Sequence, residues 1–100
     1  MIEPIEKAYL PFSQDVNTVY RYLREDRKEL TLSKKITFLN IQIDELLQKP
    51  SRDSFIDALN NAEYILRLIM QLYGSGYLPS ALYQSVNEAG EKFKEFLLST

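Results

Sequence analysis

The chain has 100 residues and a formal net charge of −2, with neither histidine nor cysteine. The missing cysteine excludes disulfide frameworks and thiol nucleophiles, and the missing histidine excludes imidazole bases and the catalytic triads built on them. At 45% hydrophobic and 26% charged residues, the composition is that of one ordinary globular domain over residues 1–100. We therefore expect a protein without enzymatic activity, metal or cofactor.

Residues 1–12 (MIEPIEKAYLPF) contain two prolines, Pro4 and Pro11, which discourage one straight helix through the segment. The sequence predicts an N-terminal arm here, lying on the body of the domain. The segment has no basic leader and no continuous apolar run, so it indicates neither a signal peptide nor a membrane span. We expect a soluble, cytoplasmic protein.

Two helices are predicted in the first half of the chain. The first covers 14–30 after Ser13 as its capping residue, with apolar positions at Val16, Val19, Tyr20, Leu23 and Leu30. The second covers 33–49, ends before Pro50, and has a seam in steps of four and three at Leu32, Ile36, Leu39, Ile43 and Leu46. A strand over Leu39–Ile43 is the alternative; the helix is favoured because no second strand exists to pair with it.

The third helix, over 52–73, carries two apolar rows. One row is Phe55, Leu59, Ala62, Leu66, Ile69 and Tyr73, and the other is Ala58, Ile65, Leu68 and Leu72. This doubled face predicts that the helix needs contacts beyond its three companions in one subunit, and so predicts a homo-oligomer. The helix ends at the glycines of the Gly-Ser-Gly sequence 74–76.

The fourth helix is predicted over 79–98, with Pro79 at its first position and a seam at Leu82, Val86, Ala89, Phe93 and Phe96. Four helices with short connections specify an all-α domain. The predicted architecture is an antiparallel, up-down-up-down four-helix bundle.

Basic residues are concentrated between 21 and 35, where the local balance is +3. They are Arg21, Arg24, Arg27, Lys28, Lys34 and Lys35. On a helix, the first four form one stripe that predicts contact with nucleic-acid phosphates. The alternative is a solvated surface, since Glu25, Asp26 and Glu29 are interleaved with the cations.

A second set of residues is predicted to contact a partner or another copy of the chain. This set is Ile65, Arg67, Leu68, Leu72, Tyr77 and Tyr83. Arg67 follows Glu63 by one turn, so an ion pair within the helix is the alternative to a partner contact. Tyrosines at the surface combine an apolar ring with a polar hydroxyl and suit an interface.

The C-terminal third resembles a superfamily of small bacterial four-helix proteins that includes the accessory variability proteins of diversity-generating retroelements and proteins encoded by intervening sequences in ribosomal RNA genes. The residues carrying the resemblance are Leu66-Arg67-Leu68, Gly76-Tyr77-Leu78, Pro79, Tyr83 and Glu88-Ala89-Gly90. It implies a bacterial or phage protein that forms a ring of five bundles, contacts a reverse transcriptase and nucleic acid, and has no catalytic residue. The acidic net charge departs from that family, whose accessory proteins are strongly basic.

The chain is also similar to the immunity proteins that protect producers of pediocin-like bacteriocins, which are antiparallel four-helix bundles of about this length. That similarity implies a monomeric inhibitor that binds a protein target. The preferred hypothesis from the sequence is a self-associating helical adaptor, and the immunity-type bundle is the alternative.

Overall fold

The structure is a computed structural model that describes residues 3–23 and 30–99, and the side chains of 4–23 and 32–99. Four helices account for nearly all of these residues, with no strand among them: α1 Glu3–Tyr22, α2 Leu30–Gln48, α3 Arg52–Gly74 and α4 Ser80–Leu98. Each helix lies beside two others, in the order α1, α2, α3, α4 and back to α1. The predicted all-α, antiparallel four-helix bundle is confirmed, and the strand alternative is wrong.

The start of the first helix differs most from expectation. The predicted first helix is present over 14–22, but α1 already begins at Glu3, passes through Pro11 and ends at Tyr22, so the expectation of an arm before residue 13 is wrong for the described residues. Its buried positions step by four and three: Ile5, Tyr9, Phe12, Val16, Val19 and Leu23. Each large apolar side chain contributes about 1.5–3 kcal/mol on burial, which offsets the roughly 3 kcal/mol cost of an internal proline.

The connection into α3 and the turn out of it have clear local causes. Ser51 caps α3, its hydroxyl accepting a hydrogen bond from the Ser54 amide at 3.1 Å. Gly76 has φ +83, a left-handed conformation that suits a residue without Cβ, and the turn closes with the Tyr77 amide donating to the Leu72 carbonyl at 3.0 Å. Pro79 is the N-cap of α4, so the helix begins at Ser80, one position after the predicted start.

An aromatic cluster fills the core where α1 meets α4. The Phe93 ring centroid lies 5.2 Å from that of Tyr9 and 5.9 Å from that of Phe12. Gly90 allows this close approach, because a Cβ built there would lie 2.6 Å from Leu66 Cδ2 and 2.9 Å from Phe12 Cε1. The α1–α4 side of the bundle is therefore closed by direct packing.

Both apolar rows of α3 are largely covered within one subunit. Ile65 is 0% and Leu72 is 7% exposed, and Leu68 is half-buried against the same core. The prediction that Ile65 and Leu72 contact another copy is wrong, because the neighbouring helices already enclose them. None of the described helices is long and apolar enough to cross a membrane.

Candidate interaction surface

The described residues of the predicted basic region belong to two helices. Arg21 is exposed in the last turn of α1, whereas Lys34 and Lys35 lie near the start of α2. Arg24, Arg27 and Lys28 fall outside the described residues. The stripe from Arg21 to Lys28 stays a prediction, since only Arg21 of its four cations lies among the described residues.

Lys35 is positioned by an aromatic partner on the next helix. Its Nζ lies 4.9 Å from the centroid of the Tyr64 ring, a cation–π contact that joins α2 to α3. Seven residues further along α2, Gln42 Oε1 accepts a hydrogen bond from Asn61 Nδ2 at 2.7 Å. These two contacts set the antiparallel register of the α2–α3 hairpin.

The other predicted partner contacts occupy different parts of the surface. Arg67 is exposed, with Nη2 4.0 Å from Glu63 Oε1, at the outer limit of an ion pair. Tyr77 is exposed in the α3–α4 turn. Tyr83 is half-buried and stacks on Tyr73, with ring centroids 4.2 Å apart and planes 1° from parallel. Arg67 and Tyr77 therefore remain accessible, whereas Tyr83 contributes to the packing of α4 on α3.

A polar contact that the sequence did not reveal joins α3 to α4. Lys94 Nζ donates to Glu63 Oε2 at 2.6 Å and lies 3.1 Å from Glu91 Oε1. The hydrogen bond from Lys94 lowers the pKa of Glu63, and the same bond raises the pKa of Lys94. Charge-assisted pairs of this kind fix helix register, and no periodicity within either helix indicates them.

A concave groove lies between α1 and α2. It is lined by Glu6, Lys7, Tyr9, Leu10, Asn40, Ile43, Asp44 and Leu47. The Tyr9 hydroxyl donates a hydrogen bond to Asn40 Oδ1, and burial raises the pKa of Tyr9 to about 12. A phenol with so high a pKa is neutral at physiological pH, so Tyr9 contributes packing and a hydrogen bond to this groove.

The outer surface of α2 combines exposed apolar and charged side chains. Phe38 is 57% and Ile41 is 52% exposed, and both are large apolar groups. With Lys34 and Glu45 they form a row spaced by four, three and four residues, which we call the α2 stripe (Lys34, Phe38, Ile41, Glu45). Tyr64, which is 43% exposed, lies on the adjacent helix beside Lys35. Phe38 and Ile41 on α2 and Tyr64 on α3 are therefore exposed apolar groups near the middle of the α2–α3 hairpin.

Charge is segregated along the same hairpin. Residues 30–43 and 64–74 contain three cations, Lys34, Lys35 and Arg67, and no acidic residue. Residues 44–63 contain two cations and five acids: Lys49, Arg52, Asp44, Glu45, Asp53, Asp57 and Glu63. The two parts have balances of +3 and −3, with the exposed apolar residues near their boundary.

Sequence reasoning missed Phe38 and Ile41 as surface residues. The signal was available, because the buried seam of α2 (Leu32, Ile36, Leu39, Ile43, Leu46) excludes both positions. A large apolar residue outside a complete seam must face either another helix or solvent.

Among the described residues, no group of three or more acidic side chains is arranged to hold a metal ion. The chain matches no family model, no curated protein and no solved structure.

Proposed function

We propose that this protein is a non-enzymatic helical adaptor that associates with itself through the outer surface of the α2–α3 hairpin. The observation that carries the proposal is the exposure of Phe38 and Ile41 on the outer face of α2, with Tyr64 also exposed on the adjacent helix. Exposed aromatic and aliphatic side chains grouped on one face are typical of interaction sites. The contact surface thus differs from the α3 rows that the sequence indicated.

The proposal extends to an accessory role with a reverse transcriptase and nucleic acid, on the strength of the sequence resemblance in the C-terminal third. Lys34 and Lys35 support the nucleic-acid part, since they lie in the acid-free portion of the hairpin, whereas Arg67 lies beside Glu63. Phosphate contacts by these cations would make affinity fall steeply with salt. A fluorescence-anisotropy titration with a labelled oligonucleotide at several salt concentrations tests this part; binding that does not change with salt contradicts it.

Sedimentation velocity across micromolar concentrations tests the self-association directly. We expect the wild-type chain to shift from monomer to a larger species as concentration rises, because burial of Phe38 and Ile41 favours association. Phe38→Ser should abolish this shift without unfolding the monomer, since the ring is mostly in solvent. Leu10→Ser is the matched control, because Leu10 on α1 is 55% exposed.

The expected outcome is that Phe38→Ser remains monomeric while Leu10→Ser associates as the wild type does. A wild-type chain that stays monomeric throughout the concentration range overturns the self-association. Such a result would favour the immunity-type interpretation, in which one bundle binds a protein target.

A further inference from the structure

We infer that two copies of this chain pair through their α2 helices in an antiparallel, two-fold symmetric dimer. The inference rests on the proposed self-association and specifies its geometry. The partner is a second copy because the α2 stripe is complementary to itself: it reads cation, apolar, apolar, anion from Lys34 to Glu45. Rotating this row by 180° about its centre exchanges the two charges and the two apolar side chains.

The spacing fixes which residues meet. A two-fold axis that passes between Phe38 and Ile41 places Phe38 of one copy opposite Ile41 of the other. The same axis places Lys34 opposite Glu45, and it does so twice, once at each end of the contact. In an isologous interface of this kind each substitution acts at two symmetry-related positions.

The α3 helix carries the same segregation of charge along its length. Arg67 lies towards the acid-free end of the hairpin, whereas Asp53 and Asp57 lie towards the acidic end. Pairing in the opposite orientation, with the two copies parallel, would bring the +3 parts together and the −3 parts together. Like charges in contact cost free energy, so the charge distribution selects the antiparallel orientation.

The available area suits a reversible dimer. The 19 residues of α2 span roughly 28 Å at about 1.5 Å per residue, and two adjacent helices are roughly 20 Å wide. A face of that size buries roughly 560 Å² per copy, or about 1,100 Å² in total, at the low end of specific interfaces. We therefore expect a micromolar dissociation constant and a closed dimer that does not grow further.

Charge exchange between the two ends of the α2 stripe tests the pairing. Lys34→Glu and Glu45→Lys should each weaken the dimer roughly tenfold or more, because each replaces two attractive pairs by two repulsive ones. The double variant Lys34→Glu/Glu45→Lys should recover the wild-type dissociation constant within about threefold, since the complementary pairs reform with their signs exchanged. Lys92→Glu, at an exposed lysine on α4, is the matched control and should leave association unchanged.

Mixtures give a second, independent readout by sedimentation velocity. An equimolar mixture of Lys34→Glu and Glu45→Lys chains should form a species of twice the chain mass, whereas the double variant and the wild type should not pair with each other. A wild-type oligomer that is unaffected by the single substitutions, or is not restored by the double variant, overturns the antiparallel pairing and leaves self-association standing. A wild-type chain that is always monomeric overturns both. A monomer that binds an oligonucleotide through Lys34 also overturns the pairing and assigns this surface to nucleic acid.

Discussion

The α1–α4 side of the bundle and the outer surface of α2 both carry large apolar side chains, but they differ in what covers them. Phe93 is fully buried between Phe12 and Tyr9, and Gly90 lets α4 approach closely enough to enclose it. Phe38 has the same side chain and lies largely in solvent. The comparison shows that the hydrophobicity of a side chain does not by itself decide whether it lies in the core or on the surface. The number of helices packed around it decides this.

The same substitution in both regions gives the largest expected contrast. Phe93→Ala should lower the free energy of unfolding by about 4 kcal/mol, because it removes a fully buried ring and leaves a cavity. Phe38→Ala should change it by no more than about 0.5 kcal/mol. Urea denaturation at a protein concentration too low for association measures both values. Similar losses in the two variants would contradict the distinction between the regions.

The stability of the α1–α4 side should depend on pH through Tyr9. Burial beside Phe93 raises the pKa of Tyr9 from 10.0 to about 12. The folded state retains the phenol proton that the unfolded state loses near pH 10. Its stabilising contribution is therefore complete below pH 10 and is lost as pH rises towards 12, by up to about 3 kcal/mol. Tyr9→Phe should remove this part of the alkaline decrease in stability. Denaturation measured between about pH 9 and about pH 12 follows it. An identical alkaline decrease in wild type and variant would contradict the burial of this hydroxyl.

Gly90 tests how tightly the α1–α4 side is closed. Gly90→Ala should lower the free energy of unfolding by about 1–2 kcal/mol, because the new methyl group overlaps Leu66 and Phe12 by more than the gain in helix propensity offsets. Gly74→Ala is the matched control, since no atom lies within 4 Å of a Cβ at that position. The control should be neutral or slightly stabilising. Thermal unfolding of both variants checks the sign of the change in stability. A stabilised Gly90→Ala protein would mean that the interior has room for a methyl group at this position.

The smallest effect is expected at the α3–α4 ion pair. The hydrogen bond from Lys94 lowers the pKa of Glu63, so its contribution is present above the ordinary pKa of 4.5 and is lost as pH falls through the lowered value. Glu63→Gln should cost less than about 1 kcal/mol at neutral pH, since the carboxylate is partly exposed and screened by solvent. The difference from wild type should disappear under acidic conditions.

Glu88→Gln provides the control for that measurement. Its partner Lys92 lies 3.3 Å away, and both side chains are largely in solvent on α4. The substitution should have no measurable effect on denaturation at either pH. An effect as large as that of Glu63→Gln would show that the contact between α3 and α4 gives no advantage over a pair within one helix.

Much of the fold could be predicted from the sequence, because α2, α3 and α4 each have a seam and a clear end. Pro50, Ser51 and Gly76 act locally, and local signals are readable from the chain. The predicted start of α1 is wrong because the low helix propensity of Pro11 does not by itself decide where the helix begins. The seam from Ile5 to Leu23 continues through that proline, and the free energy of burial overrides the local preference.

The candidate interaction surface was harder to predict, since it depends on which faces remain uncovered after packing. The two apolar rows of α3 correctly indicated a helix with several neighbours, but the neighbours belong to the same subunit. Ile65 and Leu72 are therefore interior, and the exposed groups lie on α2 instead. The Glu63–Lys94 pair depends on the register between helices, which periodicity within one helix does not contain.

The stacked rings of Tyr73 and Tyr83 bridge the end of α3 and the beginning of α4 across the glycine turn. The chain contains no tryptophan, so its intrinsic fluorescence comes from tyrosine. Two phenols held face to face at 4.2 Å perturb each other's emission, and they separate as soon as this hairpin opens. Opening of this tip of the bundle should therefore change the tyrosine emission even while the helices stay intact.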